Sequence, residues 1–420
     1  MLPSQVAVLV AGGGPAGFMA AISAAEAGVR DVWLLEATAE PLHKVRISGG
    51  GRCNVTHGCW DPRSLVGHYP RGGRALLGPF SRFACGDAVA WFDAHGLELV
   101  EEPDGRLFPR SNRSASVVAC LRRAAAAAGV GLVCGESLVG AAVAPGGGFH
   151  LRLRSAVELQ AERLVLATGS HPSGRRLASG LGHSLVPPVP SLFTLALADH
   201  PLRDLAGVVA DPVALELLPP ADQPVPRGPR QQQRGPLLIT HWGLSGPVTL
   251  RLSAFGARLL REWGYRGRLR VDWSGGRRPA EVDALLQATR AEQPRRQLAS
   301  ARLWPGLSRR LWLHLLAAVG VAPEQRWADL SRRQQQDLAA ALTASVYTIR
   351  GRGPFGEEFV TAGGVALGEV NLATMASRLC PGLHLVGELL DVDGVTGGFN
   401  FQHCWSSGWL AGLALAAPAG

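Results

Sequence analysis

The sequence predicts an α/β protein built on a Rossmann-type dinucleotide-binding domain that a part-β, part-α domain interrupts. Three features of the 420-residue chain support this prediction. A strand, a glycine-rich turn, a helix and a second strand occupy residues 6–36. The βα rhythm stops between about 187 and 353, and near the C-terminus a strand ending in Gly-Glu precedes another helix. The predicted domains are 1–186, 187–353 and 354–420.

The N-terminal unit carries a GxGxxG pattern in its required context. The strand Val6–Val10 leads into Gly12-Gly13-Gly14-Pro15-Ala16-Gly17, which opens an alanine-rich helix. Gly12 allows the tight turn, Gly14 lets the backbone approach a pyrophosphate, and Gly17 lets the helix pack on the strand. Glu36 ends the second strand, where an acid accepts hydrogen bonds from an adenosine ribose and disfavours a 2′-phosphate. The alternative is a glycine-rich turn in an ordinary βαβ unit.

Composition limits the classes of partner. With 47% hydrophobic and 18% charged residues, the chain can bury a large core in two or three domains. The net charge of +9 would permit nucleic acid as a partner. However, Lys44 is the single lysine among 42 basic residues, and no dense basic run with interleaved aromatic residues occurs. We therefore expect a solvated arginine-rich surface and no nucleic-acid partner.

The seven cysteines include no CxxC pair, so we predict neither a metal site nor a dithiol redox pair. A reduced, cytoplasmic setting fits this pattern. The uncharged run from Val6 to Ala25 contains three consecutive glycines and a proline, and no basic region precedes it. We therefore predict neither a signal peptide nor a membrane span.

The stretch His43–Thr56, HKVRISGGGRCNVT, is predicted to be a loop that passes over the ligand and forms an anion-binding nest. Arg46 and Arg52 would contact phosphate or the electron-rich end of a flavin ring, and Asn54 would bond ring carbonyl or nitrogen atoms. The alternative is a flexible surface loop. Lys44 argues against it, because a lysine kept where arginine is otherwise used suggests a role that arginine cannot fill.

Between this loop and the inserted domain the patterns predict peripheral elements. The predicted helices are Gly86–His95 and Ser116–Ala128, and Glu101 and Glu102 are expected to be solvated. Residues 130–143 are predicted to form a strand pair around Gly135. A buried strand then ends at Thr168-Gly169, which suits close approach to a cofactor.

The inserted domain is predicted to begin with strands and end with helices. Strand-like runs surround a Pro/Gln/Arg-rich stretch, 219–236, which we predict to be an extended mobile loop. Three helices follow, 280–291, 308–319 and 331–343, with Ser308 and Ser331 as N-caps. The tryptophans of this domain are expected in its core, and His241 lies in a turn that could face the ligand. A second GxGxxG at 351–356 opens no helix, so we predict no separate nicotinamide-binding unit.

The C-terminal stretch predicts the type of dinucleotide. The strand 383–388 ends in Gly387-Glu388, and a helix is predicted from Phe401 to Leu415. The carboxylate can bind a ribitol, and the helix N-terminus can stabilise negative charge on a reduced isoalloxazine. This arrangement predicts FAD, rather than NAD, as the tightly bound cofactor.

Four segments resemble the bacterial BaiN/RdsA-type NAD(P)/FAD-dependent oxidoreductases, which have a glutathione-reductase-like FAD fold. They are KVRISGGGRCNVTH, LLITHWGLSGP, FVTAGGVALGEV…TMAS and GLHLVGELLDVDGVTGGFNFQHCWSSGWLAG. The resemblance covers nearly the whole chain. It implies an FAD domain made by both chain ends, an insertion containing a small β-barrel and helices, and reduction of conjugated carbonyl compounds by NAD(P)H. Two departures stand out: His403 and Cys404 replace residues that are commonly apolar, and the insertion matches least well.

Together the motifs and the resemblance predict one set of cofactor-binding residues, in which Leu138 would pair with adenine through its backbone. The set is Gly12, Gly14, Pro15, Ala16, Gly17, Glu36, Lys44, Arg46, Ser48, Gly49, Gly50, Gly51, Arg52, Cys53, Asn54, Leu138, Thr168, Gly169, Gly364, Gly387, Glu388, Asp391, Gly397, Gly398, Phe399 and Asn400.

The predicted activity is transfer of hydride from NADH or NADPH through FAD to a small organic acceptor, such as a conjugated carbonyl, a quinone or a dye. His241 and His403 are the candidate proton donors, although structural roles are open for both. Two other classes stay open: a flavoprotein that acts on tRNA, supported by the basic charge, and a protein that binds FAD without turnover. The sequence leaves the oligomeric state open.

Overall fold

A computed structural model describes residues 2–224, 231–354 and 360–417. The chain divides into two compact units. One consists of Met1–Pro188 together with Val360–Gly420, and the other is Val189–Phe359. The first unit is thus made from both ends of the chain, and the second is inserted between them.

The described residues contain twenty strands. In chain order they are Gln5–Ala11 (β1), Val32–Glu36 (β2), Thr56–His57 (β3), Leu99–Glu101 (β4), Arg106–Pro109 (β5), Gly131–Cys134 (β6), Leu138–Val143 (β7), Phe149–Leu153 (β8), Glu158–Leu166 (β9), Leu185–Ser191 (β10), Leu195–Leu197 (β11), Val209–Leu218 (β12), Gln232–Ile239 (β13), Gly243–Ser245 (β14), Gly267–Asp272 (β15), Ser345–Arg352 (β16), Val360–Val365 (β17), Val370–Asn371 (β18), Ala376–Ser377 (β19) and Leu383–Leu385 (β20).

Thirteen α-helices accompany them within the same described ranges. They are Pro15–Glu26 (α1), His43–Gly51 (α2), Pro62–Leu65 (α3), Leu77–Phe80 (α4), Cys85–Ala94 (α5), Ser114–Ala127 (α6), Pro172–Gly180 (α7), Pro247–Phe255 (α8), Ala257–Glu262 (α9), Pro279–Glu292 (α10), Arg309–Ala318 (α11), Arg332–Ala344 (α12) and Phe399–Ala416 (α13).

The main sheet of the first unit brings the predicted cofactor motifs to one edge. Its strand order is β18-β19-β20-β9-β1-β2-β6, with β8 and β7 added beside β9. The five central strands β20, β9, β1, β2 and β6 run parallel. The carboxyl ends of parallel strands meet at one edge, so Glu36 at the end of β2 lies at the same edge as Gly12, Gly169 and Gly387, which follow β1, β9 and β20. The predicted Rossmann-type fold is confirmed.

Helices α1 and α13 pack against each other at very short range. A Cβ atom at Gly408 would lie 2.6 Å from the carbonyl oxygen of Ala16, and one at Gly412 would lie 2.5 Å from Cβ of Ser23. Two glycines four residues apart therefore let α13 rest on the small side chains of α1. This contact joins the N-terminal and C-terminal parts of the first unit.

The inserted unit contains a closed barrel followed by helices. The barrel order is β11-β14-β13-β12-β15-β16, which confirms the β-barrel implied by the resemblance. Ser308 and Ser331 cap α11 and α12, as predicted, by accepting hydrogen bonds from the N–H groups of Leu311 (3.3 Å) and Gln334 (3.1 Å). The tryptophans at 273, 304, 312 and 327 are buried in its core, while those at 242 and 263 are half-buried.

Three local predictions were wrong. Residues 130–143 do not form a strand pair, since β6 joins β2 and β7 pairs with β8. The chain turns away between them because the N–H groups of Gly135 and Glu136 donate to the carbonyls of Thr38 and Glu36. The predicted loop 219–236 is shorter, since β13 begins at Gln232 and pairs with β12; residues 225–230 lie outside the described ranges. The predicted loop at 43–56 begins as helix α2.

Within the described ranges, no helix is both long enough and apolar enough to cross a membrane. The same residues contain no cluster of histidine, cysteine, aspartate and glutamate arranged to hold a metal ion.

Candidate functional site

The turn between β1 and α1 is shaped by glycines that leave no room for side chains. A Cβ atom at Gly12 would lie 2.4 Å from the carbonyl oxygen of Ala167, and one at Gly17 would lie 2.0 Å from the carbonyl oxygen of Gly12. Gly14 differs, because a Cβ there would meet no atom within 4 Å. Gly14 is the N-cap residue of α1 and has no side chain that could cap this helix. The first turn of α1 thus offers uncapped N–H groups and open space to an anion.

Glu36 is held in place at the end of β2. Its carboxylate accepts hydrogen bonds from the N–H of Gly13 (3.0 Å) and the N–H of Thr38 (2.8 Å). A Cβ at Gly13 would lie 2.8 Å from Cβ of Glu36. Gly13, a variable position of the GxGxxG pattern, therefore leaves room for the Glu36 side chain. A fixed carboxylate oxygen retains lone pairs for ribose hydroxyls.

Leu138, the predicted adenine neighbour, begins β7 just after the turn that bonds to Glu36 and Thr38. Leu138 is buried, and its contact with an adenine through the backbone remains a prediction.

Lys44 and Glu388 form an ion pair at the same edge of the sheet. Nζ of Lys44 lies 2.6 Å from Oε2 of Glu388, and the other carboxylate oxygen accepts the N–H of Thr361 at 3.0 Å. Nζ also reaches the hydroxyl of Ser170 at 3.5 Å, just beyond Gly169. The Lys44 side chain is 55% exposed and that of Glu388 is 15% exposed. The structure therefore brings together residues predicted from three separate motifs.

The glycine-rich stretch is a kinked helix end. Ser48 leaves the helical conformation (ψ 152°), and Gly49, Gly50 and Gly51 all have positive φ angles of 57°, 68° and 84°. Gly50 and Gly51 are exposed, and a Cβ at either would meet no atom within 4 Å. Cys53 after them is fully buried, and burial raises the pKa of its thiol to about 12, so it stays protonated.

The two arginines of this stretch have protein partners. Arg46 forms an exposed ion pair with Glu40 (3.3 Å). Arg52 lies 3.7 Å from the ring centre of Phe108 and 2.7 Å from the carboxylate of Glu102. Glu102 was expected to be solvated; that expectation was wrong, because it also pairs with Arg106. Contacts of Arg46 and Arg52 with a cofactor remain a prediction.

The start of α13 is built around Gly398. A Cβ there would lie 2.7 Å from the carbonyl oxygen of Thr56, and its φ of 87° favours glycine. The amide of Asn54 is oriented so that its oxygen accepts the N–H of Gly398 (3.0 Å) and its nitrogen donates to the carbonyl oxygen of Thr56 (2.9 Å). Asn400 bonds both the N–H and the carbonyl of Gly394 at 2.8 Å. The two asparagines therefore shape the turn that leads into α13.

An aromatic stack, not anticipated from the sequence, lies beside this turn. The buried ring of Phe399 stacks on His68, with centroids 4.1 Å apart, and on His57, 4.8 Å apart, and the two histidine rings are 6.0 Å from each other. Burial lowers the pKa of His57, although Asp104 partly opposes the shift. The sequence contained no signal for the stack, because His57, His68 and Phe399 come from three distant segments.

The other predicted cofactor residues lie on neighbouring segments. Thr168 and Gly169 follow β9, Gly364 belongs to β17, and Gly397 precedes α13. The N–H of Asp391 donates to the carbonyl of Val365 (3.0 Å).

The two candidate proton donors occupy unlike positions. His403 is 2% exposed, its Nε2 lies 3.2 Å from the carbonyl oxygen of Gly387, and burial lowers its pKa to about 4. It is therefore neutral near pH 7, and we do not propose it as the proton donor. Cys404 beside it is buried too, and burial raises its pKa to about 12. His241 lies exposed in the inserted unit, between β13 and β14, and its role remains a prediction.

These features fit a dinucleotide cofactor. The uncapped N-terminus of α1 suits a pyrophosphate, and Glu36 suits a ribose. Gly387 lies against the first turn of α1, since a Cβ there would be 2.8 Å from Cβ of Ala16. The Lys44–Glu388 pair therefore lies next to the expected pyrophosphate position. Hydroxyl groups of a polyol chain can bond such a charged pair.

Nearly the whole chain matches known proteins. Residues 6–414 match the family described as HI0933-like protein Rossmann domain. The 3-dehydro-bile acid delta(4,6)-reductase of Clostridium scindens is 32% identical over 416 residues, covering 97% of this chain and 98% of that protein. The ribosomal RNA dihydrouridine synthase of Escherichia coli is 28% identical over 424 residues, with the same coverages of 97% and 98%.

Two solved structures share the fold. The 3-ketosteroid-delta4-(5alpha)-dehydrogenase of Rhodococcus jostii RHA1 has a TM-score of 0.51 at 14% identity, covering 99% of this chain and 98% of that one. The 3-ketosteroid delta1-dehydrogenase of Sterolibacterium denitrificans has a TM-score of 0.53 at 13% identity, covering 99% and 100%. At these identities the similarity concerns the fold alone.

Proposed function

Because the chain belongs to the HI0933-like family, whose Rossmann fold is of the FAD-binding type, we propose that it is an FAD-dependent reductase. Its acceptor would be a small organic compound with a carbon–carbon double bond conjugated to a carbonyl, and its donor NADH or NADPH. The observation that supports the proposal most directly is the ion pair in which Nζ of Lys44 lies 2.6 Å from Oε2 of Glu388. This pair lies at the same sheet edge as Glu36 and the N-terminus of α1.

The names of the relatives support this class of bond. One relative is named for reducing the delta(4,6) double bonds of a 3-dehydro-bile acid, and another for making dihydrouridine. Both reactions saturate a carbon–carbon bond that is conjugated to a carbonyl. The shared chemistry is therefore a firmer basis for the proposal than either substrate.

Different residues would bind different parts of the cofactor. The first-turn N–H groups of α1 would bind the pyrophosphate, and Glu36 would accept hydrogen bonds from the adenosine ribose. Lys44 and Glu388 would bond the ribitol, with Thr361 N–H keeping the carboxylate in position. The N-terminus of α13 would favour negative charge near it. FAD bound there would supply a two-electron carrier that accepts hydride from the donor and passes it to the acceptor.

A second candidate function is reduction of uracil within RNA. It rests on the full-length similarity to two proteins named as ribosomal RNA dihydrouridine synthases, of Escherichia coli and of Haemophilus influenzae. The C5=C6 bond of uracil is conjugated to its C4 carbonyl, so the cofactor chemistry would be the same. Only the acceptor, and the surface that binds it, would differ.

Turnover with defined acceptors tests the proposal. The FAD-reconstituted protein would be supplied anaerobically with NADH or NADPH and with a 4-en-3-one steroid, a quinone or a uridine-containing transcript. The proposal predicts nicotinamide oxidation that depends on an acceptor, together with a steroid product carrying two additional hydrogens. Reduction of the transcript alone would support the second candidate. Absence of turnover with every acceptor would instead favour a protein that binds FAD without catalysis.

A further inference from the structure

The positive charge of the chain is concentrated in the inserted unit. Residues 189–359 contain 23 arginines and 15 acidic residues, a net charge of +8. The rest of the chain contains 19 basic and 18 acidic residues, a net charge of +1. A coding bias explains why arginine replaces lysine, but it would act equally on both units. The unequal division therefore calls for a cause in the inserted unit itself.

Within this unit the excess lies around its helices. Residues 290–333 contain nine arginines and three acidic residues, Glu292, Glu324 and Asp329. Eight of the nine arginines are exposed: Arg295, Arg296, Arg302, Arg309, Arg310, Arg326, Arg332 and Arg333.

Backbone hydrogen bonds place several of these arginines close together. The N–H of Trp327 donates to the carbonyl of Arg296 (3.0 Å), and the N–H of Ala328 donates to the carbonyl of Pro294 (2.9 Å). Segment 294–298 thus runs beside segment 325–328. The side chain of Gln325 bonds Gln334 (3.2 Å), which ties the start of α12 to the same place. We call Arg295, Arg296, Arg326, Arg332 and Arg333, which lie on these adjoining segments, the arginine cluster.

The cluster has little internal neutralisation. Arg296 bonds the neutral side chains of Gln293 and Ser300, and Arg333 reaches Asp337 only at 3.8 Å. No ion pair is formed by Arg295, Arg326 or Arg332 with any residue that the structure describes. Exposed guanidinium groups on adjoining segments that are not paired with carboxylates repel one another, and an external anion relieves that repulsion.

Residues next to the cluster line an open cleft of about 390 Å³. The lining residues are Gln287, Arg290, Ala291, Pro294, Ala328 and Gln335. Arg290 donates to the carbonyl of Ala328 (3.1 Å), so its guanidinium is fixed at the cleft. The amides of Gln287 and Gln335 donate to the carboxylate of Asp283 (2.8 and 2.7 Å), so the held guanidinium of Arg290 is the group of this cleft that can pair with a phosphate.

The chemistry of this surface favours a polynucleotide over a membrane. No large hydrophobic side chain of residues 279–344 is exposed, so nothing there would insert into the boundary between lipid headgroups and acyl chains. Guanidinium groups pair with phosphates through two parallel hydrogen bonds. We propose that the arginine cluster of the inserted unit binds the phosphate backbone of a polynucleotide. This proposal does not depend on the reaction that the first unit catalyses.

The test is binding by the full chain, measured by fluorescence anisotropy with a labelled RNA hairpin and a DNA hairpin of the same sequence. The triple variant Arg295→Gln/Arg326→Gln/Arg332→Gln removes three cluster charges without touching the bonds of Arg296. The matched control, Arg30→Gln/Arg123→Gln/Arg152→Gln, removes three exposed charges from the first unit. Thermal unfolding of both variants checks that they fold. Vesicles containing phosphatidylserine serve as the alternative polyanion.

We expect hairpin binding that weakens steeply with salt, at least tenfold weaker binding by the cluster variant, and less than a twofold change in the control. The salt slope should fall by about two to three in the cluster variant, since each phosphate contact contributes nearly one. Preference between the two hairpins identifies the sugar that is recognised. The proposal is overturned if neither hairpin binds, if both variants lose binding equally, if the cluster variant binds like wild type, or if only vesicles bind.

Discussion

Lys44 and Glu388, 344 positions apart in the chain, form a 2.6 Å ion pair at the edge of the main sheet. Lys44 is the single lysine of the protein and lies in the helix that follows β2, whereas Glu388 follows β20. The pair therefore joins the two ends of the chain within the candidate cofactor site.

Replacing Glu388 by glutamine should weaken FAD binding about tenfold or more, since a hydrogen bond to a charged group contributes about 1.5–3 kcal/mol. The stability of the apoprotein should change by less than about 1 kcal/mol, because Lys44 is more than half exposed and solvent screens the pair. Flavin fluorescence titration measures the first effect and thermal unfolding the second. Glu98→Gln, which removes an exposed pair with Arg110, is the control and should retain FAD affinity. Unchanged affinity in Glu388→Gln would remove this pair from the site.

Gly14 and Gly17 should respond differently to alanine. A methyl group at Gly14 meets no protein atom and its φ of −86° suits any residue, so the apoprotein should remain as stable as wild type. The methyl would instead occupy space open to the pyrophosphate, and FAD affinity should fall at least tenfold. Gly17→Ala should destabilise the fold by about 1–3 kcal/mol through overpacking against Gly12. Urea unfolding and FAD titration of both variants test this difference. An equal loss of stability in Gly14→Ala and Gly17→Ala would contradict the prediction.

Gly408→Ala should destabilise the first unit by about 1–3 kcal/mol, because the added methyl would lie 2.6 Å from the carbonyl oxygen of Ala16. Gly78→Ala is the matched control, since Gly78 is exposed in α4 and a Cβ there meets nothing. That variant should be equally stable or more stable by up to about 1 kcal/mol. Urea unfolding compares the two. A neutral Gly408→Ala would mean that α1 and α13 are packed less closely than described.

His403 should make the protein less stable in mild acid. Its pKa is about 4 in the folded chain against 6.5 for the unfolded one, so the unfolded chain binds the proton more readily. The free energy of unfolding should therefore fall as pH drops from about 6.5 toward 4, by at most about 1.4 kcal/mol per pH unit for this histidine. His384, with a pKa also near 4, adds a similar slope.

Urea unfolding at pH 7 and pH 5 tests this expectation. His403→Gln should lose less stability between the two pH values than wild type, by about 1–2 kcal/mol. His150→Gln, at an exposed position on β8, should behave like wild type. If His403→Gln keeps the full acid dependence, the buried imidazole is not its source.

Local patterns predicted much of this fold. The glycine motif, the helix period and the acid at Glu36 predicted β1, α1 and β2, and the serine caps predicted where α11 and α12 begin. Each of these features depends on interactions within a few residues. The barrel came from the resemblance, because its closure joins strands far apart in sequence.

What the sequence did not predict depends on distant partners. Nothing local shows that Glu102 meets Arg52, or that Phe399 stacks with His57 and His68. The basic charge was interpreted as composition because no single stretch is dense in arginine. The uneven charge can be counted from the domain bounds, but only the pairing of 294–298 with 325–328 showed which arginines lie on neighbouring segments.

The central claim, that the chain holds FAD and accepts electrons from a nicotinamide, is tested most directly by anaerobic absorbance spectroscopy. The protein would be reconstituted with FAD, freed of excess cofactor, and mixed with NADH or NADPH. We predict a protein-bound oxidised flavin spectrum that bleaches rapidly with at least one donor and returns when a conjugated carbonyl compound is added. A protein that retains no flavin, or a flavin that stays oxidised with both donors, would contradict the account.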